Sequence, residues 1–425
     1  VTEIRTYRRV LTRFDATMIV IGSIIGGGIF FTPQAIASTV GADTTLILLA
    51  WAIGGLIAMT GALTYAGLGG LFPRTGGVYV FLREAFGGLP AFLYTWALLL
   101  VIAPGALIVA GLAFAGGAPG DAAAAAPARA RDASAAGLLL AAMMPVLFSY
   151  GGWQNGTYIA GEMRAPGRDV PAAVLIGTLV VVAVYLLVNV SALRVLGPHG
   201  VAASRAFAAD AAERAMGPAG RGLVTAGILV STFGICAAIP LTNPRVVQAT
   251  AADGFFLAPF ARLHARFATP AWAIVVLGAW SCALLLLGTA EQLLDAVVFA
   301  DWVFFALSGL ALFVFRRRLP GAARPYRCAL YPWVPAAFTA LAITVAAGAY
   351  ATADARSRLL GPGVLALGAL ALGALVYAWQ ARGGRGAQRA PPARGGDADD
   401  PAPAERGLDA DDPAPAGRGR DDGPW

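Results

Sequence analysis

Gly22-Ser23-Ile24-Ile25-Gly26-Gly27-Gly28-Ile29-Phe30 sets three consecutive glycines inside an apolar stretch. A glycine in a helix interior costs about 1 kcal/mol relative to alanine, so the run predicts a helix that opens midway. Phe148-Ser149-Tyr150-Gly151-Gly152-Trp153-Gln154-Asn155 repeats the pattern in a later apolar stretch, with paired glycines, amide side chains and a preceding Pro145. An opened helix exposes N–H groups and partial positive charge at one new end, and C=O groups at the other. Two such openings together can hold a carboxylate and an ammonium without any ionised side chain. That chemistry suits a zwitterionic α-amino acid, whose charges would be costly to match with buried ions. The competing explanation is that the glycines serve only close helix packing.

The elements that must position these breaks are membrane spans. Of 425 residues, 58% are hydrophobic and only 13% charged, and the mean hydropathy is +0.69. A helix needs about 20 apolar residues to cross a bilayer. Ten stretches meet that need, near 14–37, 45–70, 88–115, 138–160, 171–195, 222–245, 270–288, 293–315, 331–350 and 360–379. The expected fold class is therefore an all-α polytopic membrane protein. Unwound backbone at mid-membrane is tolerated only against protein or a water-filled cavity. Paired interrupted spans point to a binding site in folds built from inverted repeats.

All 31 basic residues are arginine. With the N-terminus inside, and the segment after 380 left out, the inner segments of this ten-span layout hold sixteen arginines and the outer ones eight. Both termini are thus expected in the cytoplasm. The net charge of +7 reads as membrane topology, and no aromatic-rich basic patch argues for nucleic acid. Arg5, Arg8, Arg9 and Arg13 before an apolar stretch, with Ala35-Ile36-Ala37, have the look of a signal peptide, but the stretch is too long for a signal core. Cys236, Cys282 and Cys328 show no pairing or metal spacing, and His199 and His264 lie far apart, so no metal or cofactor is expected. Too few convergent His, Cys, Asp or Glu groups share one depth for a membrane enzyme. The stretch 116–137 reads as an external loop. From about 381 the chain is Gly, Pro, Ala, Arg and Asp with a short repeat, which implies a disordered cytoplasmic tail over 381–425 after a membrane domain over 1–380.

The two broken stretches carry a family resemblance. The first is similar to the signature of the amino acid–polyamine–organocation (APC) permeases. Phe148 to Asn155, followed by Ala160-Gly161-Glu162 and Arg164-Ala165-Pro166-Gly167-Arg168, resembles the L-type amino acid transporter branch. Phe72-Pro73-Arg74-Thr75-Gly76-Gly77, Pro244-Arg245, Ala252-Asp253-Gly254-Phe255-Phe256, Arg324-Pro325-Tyr326-Arg327 and Tyr331-Pro332 resemble further family segments. The resemblance implies a LeuT-like inverted-repeat fold whose first and sixth helices are discontinuous. It also implies an amino acid permease or exchanger of the cytoplasmic membrane that works by alternating access. The implied substrate-binding residues are Ile24, Gly26, Gly27, Gly28, Phe148, Ser149, Tyr150, Gly151, Trp153 and Gln154. Gly27 and Gly28 amides would take the carboxylate. Carbonyls of Ile24, Phe148, Ser149 and Gly151 would take the amine. Phe148 would be a gate, and Trp153 and Gln154 would shape the side-chain pocket.

The chain departs from the family in one large respect. The family has twelve spans, and here the third is followed after a short polar stretch by the family's sixth. The fourth and fifth are expected to be absent, which keeps the in/out parity but leaves the first repeat incomplete. A transport-inactive binding or sensor remnant is therefore the rival to a working carrier. A lysine that some relatives use for proton coupling is missing as well, so a proton route would need another group. Gly67 and Val78 stand where the family often has glutamates. Asp301 is the most membrane-embedded acid, read here as close to a helix end with Glu291 and Asp295.

Overall fold

Hydropathy sets the element lengths, and the computed structural model, which describes residues 7–115, 134–287, 290–352 and 370–378, follows it closely. Among the described residues the chain is helical, with only an isolated bridge between Leu11 and Met163. The first span is two helices, α1 (Arg13–Ile24) and α2 (Gly27–Thr39), bent by 41° at their break. It is followed by α3 (Thr44–Leu71) and the short α4 (Val78–Phe86). Next, α5 (Gly88–Ala97) passes through a π-turn, Leu98–Ile102, into α6 (Ala103–Phe114) as one span. The second broken span is α7 (Ala135–Ser149), a turn and α8 (Asn155–Tyr158). Two long helices, α9 (Pro166–Ala203) and α11 (Pro218–Ala252), flank α10 (Phe207–Met216). Then come α12 (Ala271–Leu287), α13 (Ala290–Arg318) and α14 (Trp333–Thr352). The expected spans from 14–37 to 331–350 each have a helical counterpart. Of the stretch 360–379 only 370–378 is described, and it is helical. The tail 381–425 and most of the connection 116–137 lie outside the described residues.

Local chemistry starts the helices where the apolar runs start. Thr12 and Asp15 form a reciprocal capping box at α1, with Thr12 N–H donating to Asp15 Oδ2 at 2.8 Å. Asp43 caps α3 by accepting Leu46 N–H at 2.8 Å, and Ser134 caps α7 through Gly137 N–H at 3.3 Å.

Packing inside the bundle relies on small residues against large ones, as expected where lipid is as apolar as leucine. A β-carbon on Gly54 would lie 2.1 Å from Val146 of α7, and one on Gly55 2.8 Å from Val182 of α9, so α3 approaches both helices at its glycines. Large apolar side chains such as Leu56, Leu187, Val230 and Leu286 point outward, the arrangement a bilayer requires.

One end of the bundle gathers most of the ion pairs of the described residues, while Arg221 at the start of α11 pairs with Asp210 and Glu213 of α10 at the other. Arg13 at the start of α1 bonds Asp169 at the start of α9 at 3.1 Å. Arg83 of α4 pairs with Asp253 at the end of α11, and Arg245 of α11 pairs with Glu162 after α8. Arg318 at the end of α13 donates to the Ala85 carbonyl at 2.9 Å. The N-terminal segment is strapped to this end, with Leu11 N–H donating to Glu162 O at 2.8 Å and Arg164 N–H to Leu11 O at 3.0 Å.

Candidate substrate site

The first break is narrower than the glycine run suggests. Only Ile25 and Gly26 leave the helix, with Gly26 extended at φ −129° and ψ −153°. Gly27 and Gly28 already form the first turn of α2. No side chain caps that turn, so its leading N–H groups keep the orphan status and partial positive charge of a helix start. On the other side, the α1 carbonyls are engaged. Ile24 O accepts the Tyr185 hydroxyl of α9 at 2.9 Å, and Ile25 O accepts the Ser231 hydroxyl of α11 at 2.9 Å.

Gly28 is a packing residue as well as a backbone donor. A β-carbon there would sit 2.8 Å from Ser149 Cα, backbone that cannot swing aside. Thr32 ties the same contact, donating to Gly28 O at 2.9 Å and sharing a hydrogen bond with Ser149 Oγ at 2.8 Å. At Gly26 the added carbon would meet only the Ile235 side-chain tip, and at Gly22 nothing within 4 Å. Close packing thus constrains Gly28, which also lines the cavity, and leaves Gly22 of the same run free of contact.

The second break is wider and internally bonded. After α7 ends at Ser149, the chain turns through residues 150–154. Gly151 N–H donates to Phe148 O at 3.1 Å, Gly152 N–H to the Gln154 side-chain oxygen at 3.1 Å, and Asn155 N–H to Gly152 O at 3.1 Å. Gly152 is held at φ +124°, where a β-carbon would lie 2.4 Å from the Ser23 carbonyl oxygen, so the turn rests directly on the end of α1. Tyr185 joins the two breaks. Its hydroxyl lies 2.9 Å from Ile24 O and 3.1 Å from Ser149 O, one donor shared between the C-terminal carbonyls of α1 and α7. Carbonyls have two lone pairs, so Ile24, Phe148 and Ser149 each retain acceptor capacity despite these bonds.

The breaks open on a cavity of about 100 Å³ between α1, α2, α6, α7, α11 and α13. Of the expected residues, Ile24, Gly26, Gly28, Phe148, Ser149, Gly151 and Gln154 line it, and Gly27 lies between two of them in sequence. Two expected residues turn elsewhere. Tyr150 is buried in a cluster with Trp51 and Tyr185, ring centres 5.0 to 5.7 Å apart, and gives its hydroxyl to Trp51 O at 3.2 Å. Trp153 is also fully buried, behind the cavity wall, with its ring 5.3 Å from Phe305. Trp153, expected to help shape the pocket, thus stands behind Phe305, which lines the cavity. The turn at Gly152 sends these neighbours to other layers, which residue type alone does not reveal.

Other residues line the cavity without having been expected there. Ser23, Asn155, Asn243, Trp302 and Asp301 are among them. Ser23 Oγ and Asp301 Oδ1 are buried without a hydrogen-bond partner among the described residues. Ser23 carried no signal beyond its place beside glycines. Asp301 was legible as a lone acid in an apolar stretch, but its position needs correcting. It lies about three turns into α13, because that helix begins at Ala290.

Among the described residues no group of three or more His, Cys, Asp or Glu could hold a metal. The three cysteines are free. Burial pushes the thiol of Cys328, in the loop before α14, up to about 11.

The family model for amino acid permeases matches residues 11–118 and 124–363. The serine/threonine exchanger SteT of Bacillus subtilis is 27% identical over 403 residues, covering 79% of this chain and 89% of its own. The human b(0,+)-type amino acid transporter 1 is 28% identical over 373 residues, 73% of this chain and 76% of its own. The human cystine/glutamate transporter is 26% identical over 402 residues, 78% of each chain.

Proposed function

The chain belongs to the amino acid permease family, and from that premise we propose that it moves L-α-amino acids across the cytoplasmic membrane by alternating access. The observation that carries this reading is the uncapped start of α2 opening on the same cavity as the end of α7. Gly27 and Gly28 N–H groups take the substrate carboxylate, and the remaining lone pairs of Ile24, Phe148 and Ser149 carbonyls take its ammonium. Phe148, half-buried at the cavity edge, serves as the gate. Relatives named for serine/threonine, b(0,+)-type and cystine/glutamate transport support the substrate class. The ion-paired end, with Arg13, Arg83, Arg245 and Arg318, is the cytoplasmic one, so both termini lie inside. The permease domain spans 1–380. Exchange, or proton coupling through a group other than lysine, drives the cycle.

A specific observation favours a second reading, binding without transport. The alignment with the Bacillus subtilis exchanger runs over 403 residues yet draws on 79% of a 425-residue chain. Several dozen aligned positions therefore face no residue here. The family match also breaks between 118 and 124, after α6. Both support a first half shorter by a helix pair. Reconstitution separates the readings. Purified protein in liposomes loaded with an L-amino acid exchanges it for labelled external substrate if it is a carrier. Saturable binding with no counterflow selects the remnant, and absence of both sinks the two readings together.

A further inference from the structure

The α13 wall of the cavity is Val297, Val298, Asp301, Trp302 and Phe305, a single acid on an otherwise apolar surface. Asp301 Oδ1 is buried and unpartnered, and none of the ion pairs of the described residues reaches it. Tyr94, whose ring packs 5.1 Å from Phe304 of the same helix, shares its hydroxyl hydrogen bond with Tyr158, and the buried Tyr65 hydroxyl has no hydrogen-bond partner among the described residues. An unpaired carboxylate inside a membrane protein is unfavourable until a cation or a proton completes it.

The charges common to all α-amino acids are met on other helices, at the α2 start and the α7 end. A substrate seated there leaves Asp301 to its side chain. We propose that Asp301 is a specificity-determining residue that selects amino acids whose side chain ends in an ammonium or guanidinium group. This rests on the cavity being the amino acid site proposed above. Phe305 lies one turn on from Asp301, on the same face of α13, and Trp302 also lines the cavity. Aromatic faces beside a carboxylate are favourable surroundings for a cation. An acidic side chain would be repelled here, and an apolar one would leave the carboxylate unpaired.

Binding of L-arginine, L-ornithine, L-serine and L-leucine to purified full-length protein in nanodiscs tests this. Binding is the readout so that a transport-inactive protein still answers. The wild type is expected to favour the two cationic substrates by about tenfold or more, and Asp301→Asn to collapse that ratio by a similar factor. Asp301→Glu is expected to restore it. An unchanged ratio in Asp301→Asn, or a wild type that binds only the neutral pair, overturns the proposal while leaving the amino acid site standing. If Asp301→Asn loses every substrate and Asp301→Glu restores all alike, the residue supports the fold and the proposal fails. If no L-amino acid binds the wild type, the site assignment falls and takes the proposal with it.

Discussion

The two broken helices solve the same problem in opposite ways. The first break is two residues long and leaves the N-terminus of α2 uncapped, facing a cavity. The second spans residues 150–154 and bonds its own polar groups, with Gly152 N–H given to Gln154 and Gly151 N–H to Phe148 O. Free donors at one break and satisfied donors at the other give the site a direction. The first break offers positive potential to an anion, whereas the second holds a shape and presents carbonyls with one lone pair each in reserve. Tyr185 keeps the two in register by bonding a carbonyl from each.

The sharpest way to break this picture is Gly152→Ala. The substitution adds a β-carbon 2.4 Å from Ser23 O at a φ of +124°, and strain plus overlap are expected to cost about 3 kcal/mol or more. Recovery of folded protein from detergent and its thermal midpoint report this, and a wild-type midpoint would mean that the second break does not rest on the first. Gly28→Ala comes next, at about 1–3 kcal/mol, because the new carbon meets Ser149 backbone at 2.8 Å. It should lower stability and amino acid affinity together. Gly22→Ala is its control: with nothing within 4 Å, it should hold or raise stability by up to about 1 kcal/mol without changing affinity. Equal losses in the two would erase the distinction between glycines of one run.

Tyr185→Phe removes the hydroxyl shared by Ile24 O and Ser149 O, with an expected loss of about 1 kcal/mol. Affinity measured against both an amino acid and its amide-capped carboxyl analogue sharpens the point, since the effect should fall on the amine end and appear equally in both. The smallest effect is expected for Gln154→Ala. It frees Gly152 N–H at a cost of about 1 kcal/mol or less if water replaces the side chain. Faster hydrogen exchange at Gly152 with little change in thermal midpoint is the predicted pattern, and a collapse of binding would instead make Gln154 a substrate contact.

Much of the fold was legible because membrane insertion depends on local quantities. Apolar length placed the spans, and adjacent glycines marked where two of them open. Seven of the expected binding residues line the cavity, because a break in a buried helix has few other places to face. Tyr150 and Trp153 left the lining for a simple reason: successive residues of a turn point in different directions, and a large ring goes where a matching hollow exists. Asp301 was misjudged because the start of α13 was set three residues late, at 293, and its depth was read from that boundary.

The chain by itself therefore determined its class, its spans and the two places where backbone is exposed, since each follows from the solvation of a short segment. Tertiary structure alone decided that Gly28 must fit against Ser149, that Tyr185 links both breaks, and that Ser23 and Asp301 meet across one cavity. Those pairs are separated by 121, more than 30 and 278 positions in the numbering, and no local preference encodes which distant side chain will complete a given helix end. Packing of whole helices settles it, because each crossing fixes many such contacts at once.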